Sequence, residues 1–275
     1  MKSIKMIGLD LDGTLLKEDK SMSECSKEAI RKALAKGVVV LTATGRPYTG
    51  IPSELREFPG MRYILSSNGA RIIDQERGKA IYESLLPKET AAAVLDVFEP
   101  YDAIKEIYFE GVGYANEESI QHIYEYMDNP AMAKYIASTR KPVKDIRKKM
   151  EELEGGLDKV QGLFKHLGDK AKALIELEAI PHIEVTGAIS NNIEVNYEGV
   201  NKGVGLVALG ALLGIERAEI MACGDGLNDL AMMKEVGFAV AMGNAMESIK
   251  KEADYVTGTN EEDGVAQAIE KFVLQ

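Results

Sequence analysis

Tryptophan is absent, and aromatic residues make up only 6% of the chain. A surface on which successive nucleic-acid bases stack needs more of them, so that class of partner is argued against from the start. Cysteine is scarce too. Cys25 and Cys223 stand alone and far apart, which excludes a disulfide-stapled scaffold and reads as a pair of reduced thiols in a cytoplasmic protein. The three histidines, His122, His166 and His182, lack the spacing of metal ligands. No apolar run approaches the length of a membrane span, and the N-terminal one, residues 4–9, is cut short by Asp10 and Asp12. Positive charge is also in deficit: 33 basic residues face 44 acidic ones, a formal net charge of −11. DNA, RNA and other polyanions are repelled at long range. Small phosphorylated molecules are repelled as well, so any phosphate site must supply its own local positive charge.

What is present is the material of an ordinary globular protein. The 275 residues are 45% apolar and 28% charged, enough for one large domain or two smaller ones. Residues 4–9, 38–41 and 63–65 are apolar throughout rather than alternating, the pattern of strands buried on both faces of a parallel sheet. Between the first two lies a helix pattern capped by Ser23, with Ala29, Ile30, Ala33 and Leu34 on one face and Gly37 as its stop. After residue 200 the same alternation returns: helix 203–213, strand 219–223, helix 230–235, strand 238–241, and helices 246–252 and 264–272. The middle differs. Helical stretches 87–98, 117–127, 143–153 and 169–178 are separated by alternating strands such as 104–109 and 182–186. The expected fold is therefore α/β: a doubly wound, Rossmann-like parallel-sheet core from residues 1–83 and 191–275, with an α+β domain inserted over 84–190.

Four segments carry the chemistry, and each follows a strand or opens a helix. Asp10-Leu11-Asp12-Gly13-Thr14 places two carboxylates just past the first strand, where ligands bind in such sheets. Two acids in one small volume call for a cation or a shared proton, although Asp-Gly is also a common turn pair. Thr44-Gly45-Arg46 follows the second strand and offers a hydroxyl, a closely approachable backbone N–H and a guanidinium. Lys202 opens the helix after the insertion, where an ammonium opposes the helix dipole and a phosphate would relieve it. Gly224-Asp225-Gly226-Leu227-Asn228-Asp229 adds two carboxylates and a carboxamide, hard oxygen ligands suited to Mg²⁺. Singly these are modest signals. Together they form the inventory of phosphoryl transfer: a nucleophilic carboxylate, a metal and cationic clamps on the transferring group.

In their order and spacing these segments resemble the four motifs of the haloacid dehalogenase superfamily, and most closely its Cof-type, IIB-capped branch. Ser67-Asn68-Gly69-Ala70, Asn201-Lys202-Gly203 and Glu262-Asp263-Gly264-Val265-Ala266 are also similar to that branch. The resemblance implies a Mg²⁺-dependent phosphatase in which Asp10 is the nucleophile and Asp12 the general acid and base. It implies phosphate contacts from Leu11, Thr44, Gly45, Arg46, Lys202 and Asn228. The metal would be held by Asp10, the Asp12 backbone carbonyl, Asp225 and Asp229, the last directly or through water. The insertion would be the cap that sets specificity. The implied partner is a small phosphorylated metabolite, with no nucleic acid and no membrane. Two rivals stand beside this: a phosphomutase of the same superfamily, distinguished by its product, and a non-enzymatic receiver-like domain or sugar-phosphate sensor. A receiver is about half this size and has no counterpart of Asp12.

Overall fold

The computed structural model describes residues 3–187 and 189–275, so Met1, Lys2 and Ala188 lie outside the described residues. Five strands precede the insertion: β1 (Met6–Leu9), β2 (Val39–Ala43), β3 (Tyr63–Ser66), β4 (Arg71–Asp74) and β5 (Lys79–Glu83). Six lie within it: β6 (Ala103–Phe109), β7 (Val112–Asn116), β8 (Lys141–Val143), β9 (Lys159–Phe164), β10 (Ile183–Thr186) and β11 (Asn192–Tyr197). Three follow: β12 (Ile220–Gly224), β13 (Phe238–Ala241) and β14 (Tyr255–Val256). The chain divides into two compact units. Met1–Gly45, Pro52–Glu83 and Asn201–Gln275 make the first, and Arg46–Ile51 with Ser84–Val200 make the second.

The first unit is built on one eight-stranded sheet in the order β14-β13-β12-β1-β2-β3-β4-β5. The strands from β14 to β3 are parallel, and β4 and β5 pair antiparallel at the edge. All residues of β1, β3, β12 and β13 are buried, as continuous apolar strands covered on both faces must be. The chain proceeds from β1 toward β2 on one side and from β12 toward β13 on the other. The strand order therefore reverses between β1 and β12, and that is where a doubly wound sheet opens a ligand crevice. Register aligns the strand ends, because Leu9 of β1 pairs with both Cys223 of β12 and Thr42 of β2. The residues just beyond these strands thus share one edge.

Helix ends follow the sequence signals. Ser23 Oγ accepts the Ser26 N–H at 3.0 Å and starts the helix Glu24–Ala35. Asn201 does the same for Val204 at 2.9 Å and starts the helix Lys202–Leu213, which Gly214 ends in the left-handed conformation at φ 69°. This helix can lie against β1 because Gly8 has no side chain. A methyl there would stand 2.5 Å from Leu206. Among the described residues no helix is long and apolar enough to cross a membrane.

The second unit has a six-stranded sheet in the order β10-β11-β9-β6-β7-β8, antiparallel except for the pair β7 and β8. Ile107, Val160, Ile193 and Val195 pack beneath the helices Lys88–Phe98, Ile146–Glu152 and Leu167–Leu177, with Phe98 edge-on to Phe164 at 5.3 Å. Such an aromatic pair contributes about 1 kcal/mol beyond the area it buries.

Three expectations change. The core resumes at Asn201 rather than 191, because β11 pairs with β9 and belongs to the second sheet. The helix expected over 117–127 stops at Gln121 and continues as a tighter turn, Ile123–Glu125, which carries Ile123 into the cluster with Ile104, Ile136 and Leu163. The helix expected over 143–153 begins only at Ile146, where the Asp145 side chain accepts the N–H groups of Arg147 and Lys148. The residues before it extend as β8 beside β7. The helix Pro130–Thr139 and the β4–β5 hairpin had no expected counterpart.

Candidate active site

Asp10 is the first residue beyond β1, and its N–H donates to Cys223 O at 3.0 Å, which fixes it against β12. The residue is 6% exposed. Lys202, with no exposed surface, sends its ammonium to Asp10 Oδ1 at 2.6 Å and to Asp229 Oδ1 at 2.7 Å. Asp229 is equally buried, and its Oδ2 accepts the N–H groups of Asp225 and Gly226, both at 2.9 Å. Both Asp229 oxygens are therefore already engaged by the protein, which shapes the 225–226 loop and anchors the lysine. Asp225 Oδ1 accepts the Thr14 hydroxyl at 2.6 Å. One ligand oxygen from each of Asp10, Asp225 and Asp229 lies within 4.8 Å of the others.

Gly13 makes this approach possible. It sits at φ +82°, and a Cβ there would stand 2.4 Å from Asp225 Oδ2. Asp12 stands at the margin of the cluster, and beside burial and Asp229 its charge also raises the Asp225 carboxyl. The Asp12 carboxylate pairs with Lys20 at 2.7 Å and is 29% exposed. Leu11, between the two aspartates, is fully buried. Thr44 lies at the end of β2, held by its N–H to Leu65 O at 3.2 Å and by the Asn68 N–H to its carbonyl at 3.0 Å. Gly45 closes the same segment of the first unit, and Asn228 is half-buried on the 225–229 loop. Arg46 parts company with them. It belongs to the second unit, where it donates to Gly50 O at 3.0 Å and lies over the Tyr135 ring at 4.1 Å.

The electrostatics define what the site lacks. Three carboxylates surround a single ammonium, leaving an excess of buried negative charge. Burial, then the Asp229 charge, raises the Asp10 carboxyl well above the usual carboxylate range, against the pull of Lys202. Burial and the Asp229 charge likewise push Asp225 up to about 7. Burial alone would lower the Lys202 ammonium, but Asp10 and Asp229 outweigh it and hold it above its ordinary value. Hard anionic oxygens in uncompensated excess fit a divalent cation. Sequence reading missed two partners here: Thr14, which fixes Asp225, and Lys20, which pairs with Asp12. The Asp-Gly-Thr run contains the first, and nothing marked the second.

An eight-stranded doubly wound sheet with carboxylates and a buried lysine at its switch point is an arrangement of the kind that α/β enzymes use for a ligand. Residues 7–269 match the haloacid dehalogenase-like hydrolase family. The chain is 32% identical over 276 residues to the 5-amino-6-(5-phospho-D-ribitylamino)uracil phosphatase YcsE of Bacillus subtilis (strain 168), covering 98% of this chain and 96% of that protein. It is also similar to a solved structure of BT4131, described as a HAD subclass IIB sugar phosphatase, with a TM-score of 0.82 and 26% identity over 98% of each chain. A solved haloacid dehalogenase-like hydrolase from B. subtilis gives a TM-score of 0.85 at 28% identity, over 98% of this chain and 100% of that one. The chain belongs to the haloacid dehalogenase-like hydrolases, and within them it is a phosphatase of subclass IIB.

Proposed function

We propose that the protein hydrolyses small phosphomonoesters of sugars or similar polyols with Mg²⁺, through a phosphoryl group carried on Asp10. The observation that supports this most is the division of labour between the two aspartates. Asp10 is buried and held by Lys202, as a positioned nucleophile needs to be, whereas Asp12 is partly exposed and paired with Lys20, as a proton carrier within reach of solvent needs to be. An Asp10 oxygen attacks phosphorus, and the bond from phosphorus to the leaving oxygen breaks. Asp12 supplies that oxygen's proton. Asp12 then takes a proton from water, whose oxygen attacks phosphorus, and the phosphorus–Asp10 bond breaks to release orthophosphate. Lys202, Thr44 and the N–H groups of Leu11 and Gly45 stabilise the charge on the transferring group together with Asn228, and Arg46 braces the loop that follows Gly45. Asp10, Asp225 and the Asp12 carbonyl would hold Mg²⁺, with Asp229 joining directly or through water, and the ion would supply charge neutralisation for the phosphoryl oxygens. The second unit supplies the choice of leaving group.

The substrate class rests on the relatives. YcsE is named for a ribityl phosphate, and BT4131 is described as a sugar phosphatase. The test is release of inorganic phosphate from a panel of sugar and polyol phosphates, with Mg²⁺, with chelator, and with Asp10→Asn. Turnover should require the metal and fall at least about a thousandfold in the variant. Undiminished release by Asp10→Asn would refute the nucleophile assignment, and isomerised sugar phosphate in place of orthophosphate would make the protein a mutase.

A further inference from the structure

The second unit contains six residues that the sequence order places inside the first. Arg46–Ile51 follows directly on Thr44 and Gly45, yet it clusters with Ser84–Val200. Its attachment is specific. The Thr49 N–H and hydroxyl both donate to Gly111 O, at 2.9 and 3.1 Å. Gly111 lies in the β6–β7 turn at φ +72°, where a Cβ would come within 2.7 Å of Tyr48, and its N–H is held by Asp158 at 2.7 Å. Gly50 is as tightly placed, since a Cβ there would stand 2.4 Å from the Tyr135 hydroxyl. Between these points the Tyr135 ring carries two guanidinium groups, Arg46 at 4.1 Å and Arg140 at 5.3 Å. Arg140 is anchored in turn. It donates to Glu106 Oε2 at 2.9 Å and to the Tyr108 hydroxyl at 2.7 Å, and Glu106 and Tyr108 have no exposed surface.

We infer that Tyr135 is a positioning residue for the phosphate loop, acting through Arg46. The chain passes between the two units at four peptide bonds: 45/46, 51/52, 83/84 and 200/201. The first directly follows Thr44-Gly45, and the last lies two residues before Lys202. Two of the four links thus adjoin groups assigned to the phosphate, and the first is secured by a ring on a helix of the inserted unit. A weakly hydrated guanidinium is attracted to an aromatic face, and the more so when buried as Arg46 is, so the Arg46–Tyr135 contact holds the start of the segment and with it the exit of the loop. The inference rests on the phosphatase reading for the role of Thr44 and Gly45.

The experiment is a double-mutant cycle on the full chain with Mg²⁺, using Arg46→Ala, Tyr135→Leu and both together. The readouts are kcat/KM on a sugar phosphate and the affinity for inorganic phosphate by calorimetry. Leucine keeps apolar bulk and removes the π face, whereas Tyr135→Phe keeps the face and loses only the hydroxyl. Tyr135→Leu should weaken phosphate binding and lower kcat/KM by roughly three- to tenfold, and Tyr135→Phe should stay within about twofold of the wild type. The double variant should be no worse than Arg46→Ala alone. Losses that add in the double variant, or a Tyr135→Leu protein indistinguishable from wild type, overturn the inference. Calorimetry reads the cycle without turnover, so an inactive wild type would sink the phosphatase reading and still leave this one decided.

Discussion

A buried ammonium costs several kcal/mol unless its partners return that cost as attraction and hydrogen bonding. Lys202 meets the condition with two carboxylates at 2.6 and 2.7 Å, and it is the element of the site whose removal has the plainest consequence. Lys202→Met leaves Asp10, Asp225 and Asp229 facing one another without a counter-ion. In chelator, the variant should lose about 3 kcal/mol of unfolding free energy by urea titration. A midpoint unchanged from wild type would mean that the carboxylates relax apart and that the lysine is not structural. The sequence placed Lys202, Asp10, Asp225 and Asp229 on segments that the fold brings into one cluster, a grouping that no one segment carried and that the resemblance of the motifs joined. Their pairings were not legible. Nothing in the run Asp10 to Thr14 says that Asp12 reaches Lys20 while the Thr14 hydroxyl reaches Asp225. Arg46 shows the same limit more strongly, since its ring partner Tyr135 lies far along the chain on a helix that carried no signal of its own.

Elements place these residues, and glycines set how closely the elements meet. The Ser67–Gly69 turn after β3 packs against the start of the Lys202–Leu213 helix. Gly69 has φ +99°, and a Cβ would stand 2.4 Å from the Asn201 carbonyl oxygen. A backbone atom cannot swing aside as a side-chain tip can. Gly69→Ala therefore combines an unfavourable φ with a displaced helix start, which costs more than about 1 kcal/mol and moves Lys202. Both a lower melting temperature and a fall in kcat/KM are expected, while Gly37→Ala, also at positive φ but with open space around its Cβ, should lose stability only. Equal activity losses in the two variants would remove the argument from close approach. The elements themselves were readable where their period was unambiguous: the parallel strands as continuous apolar runs, the helix behind Ser23 by its cap. The errors fell where neighbours decide conformation. β11 is an inner strand that declares its sheet only through its pairings with β10 and β9, and 117–127 has helical composition but is tightened by burial of Ile123.

For the whole molecule, the formal charge of −11 and the cluster of three carboxylates act in the same direction, and a bound divalent cation relieves both. Linkage makes this measurable without turnover. At a hundredfold excess over its dissociation constant, Mg²⁺ should stabilise the wild type by about 2.7 kcal/mol, seen as a rise in melting temperature that chelator reverses. Asp225→Asn gives the sharper case, because it removes one charge while keeping the side chain's size. Without metal it should melt at or above the wild type, since a repelling carboxylate is gone and burial had already raised that group to about 7. With Mg²⁺ it should gain little, and its phosphatase activity should be lost. This is the trade between stability and function expected of a site that concentrates like charges for a ligand. If the metal-free variant melts clearly below the wild type, the 2.6 Å bond from Thr14 to Asp225 contributes more than the repulsion does, and the carboxylate cluster is held together by the fold rather than kept in wait for a cation.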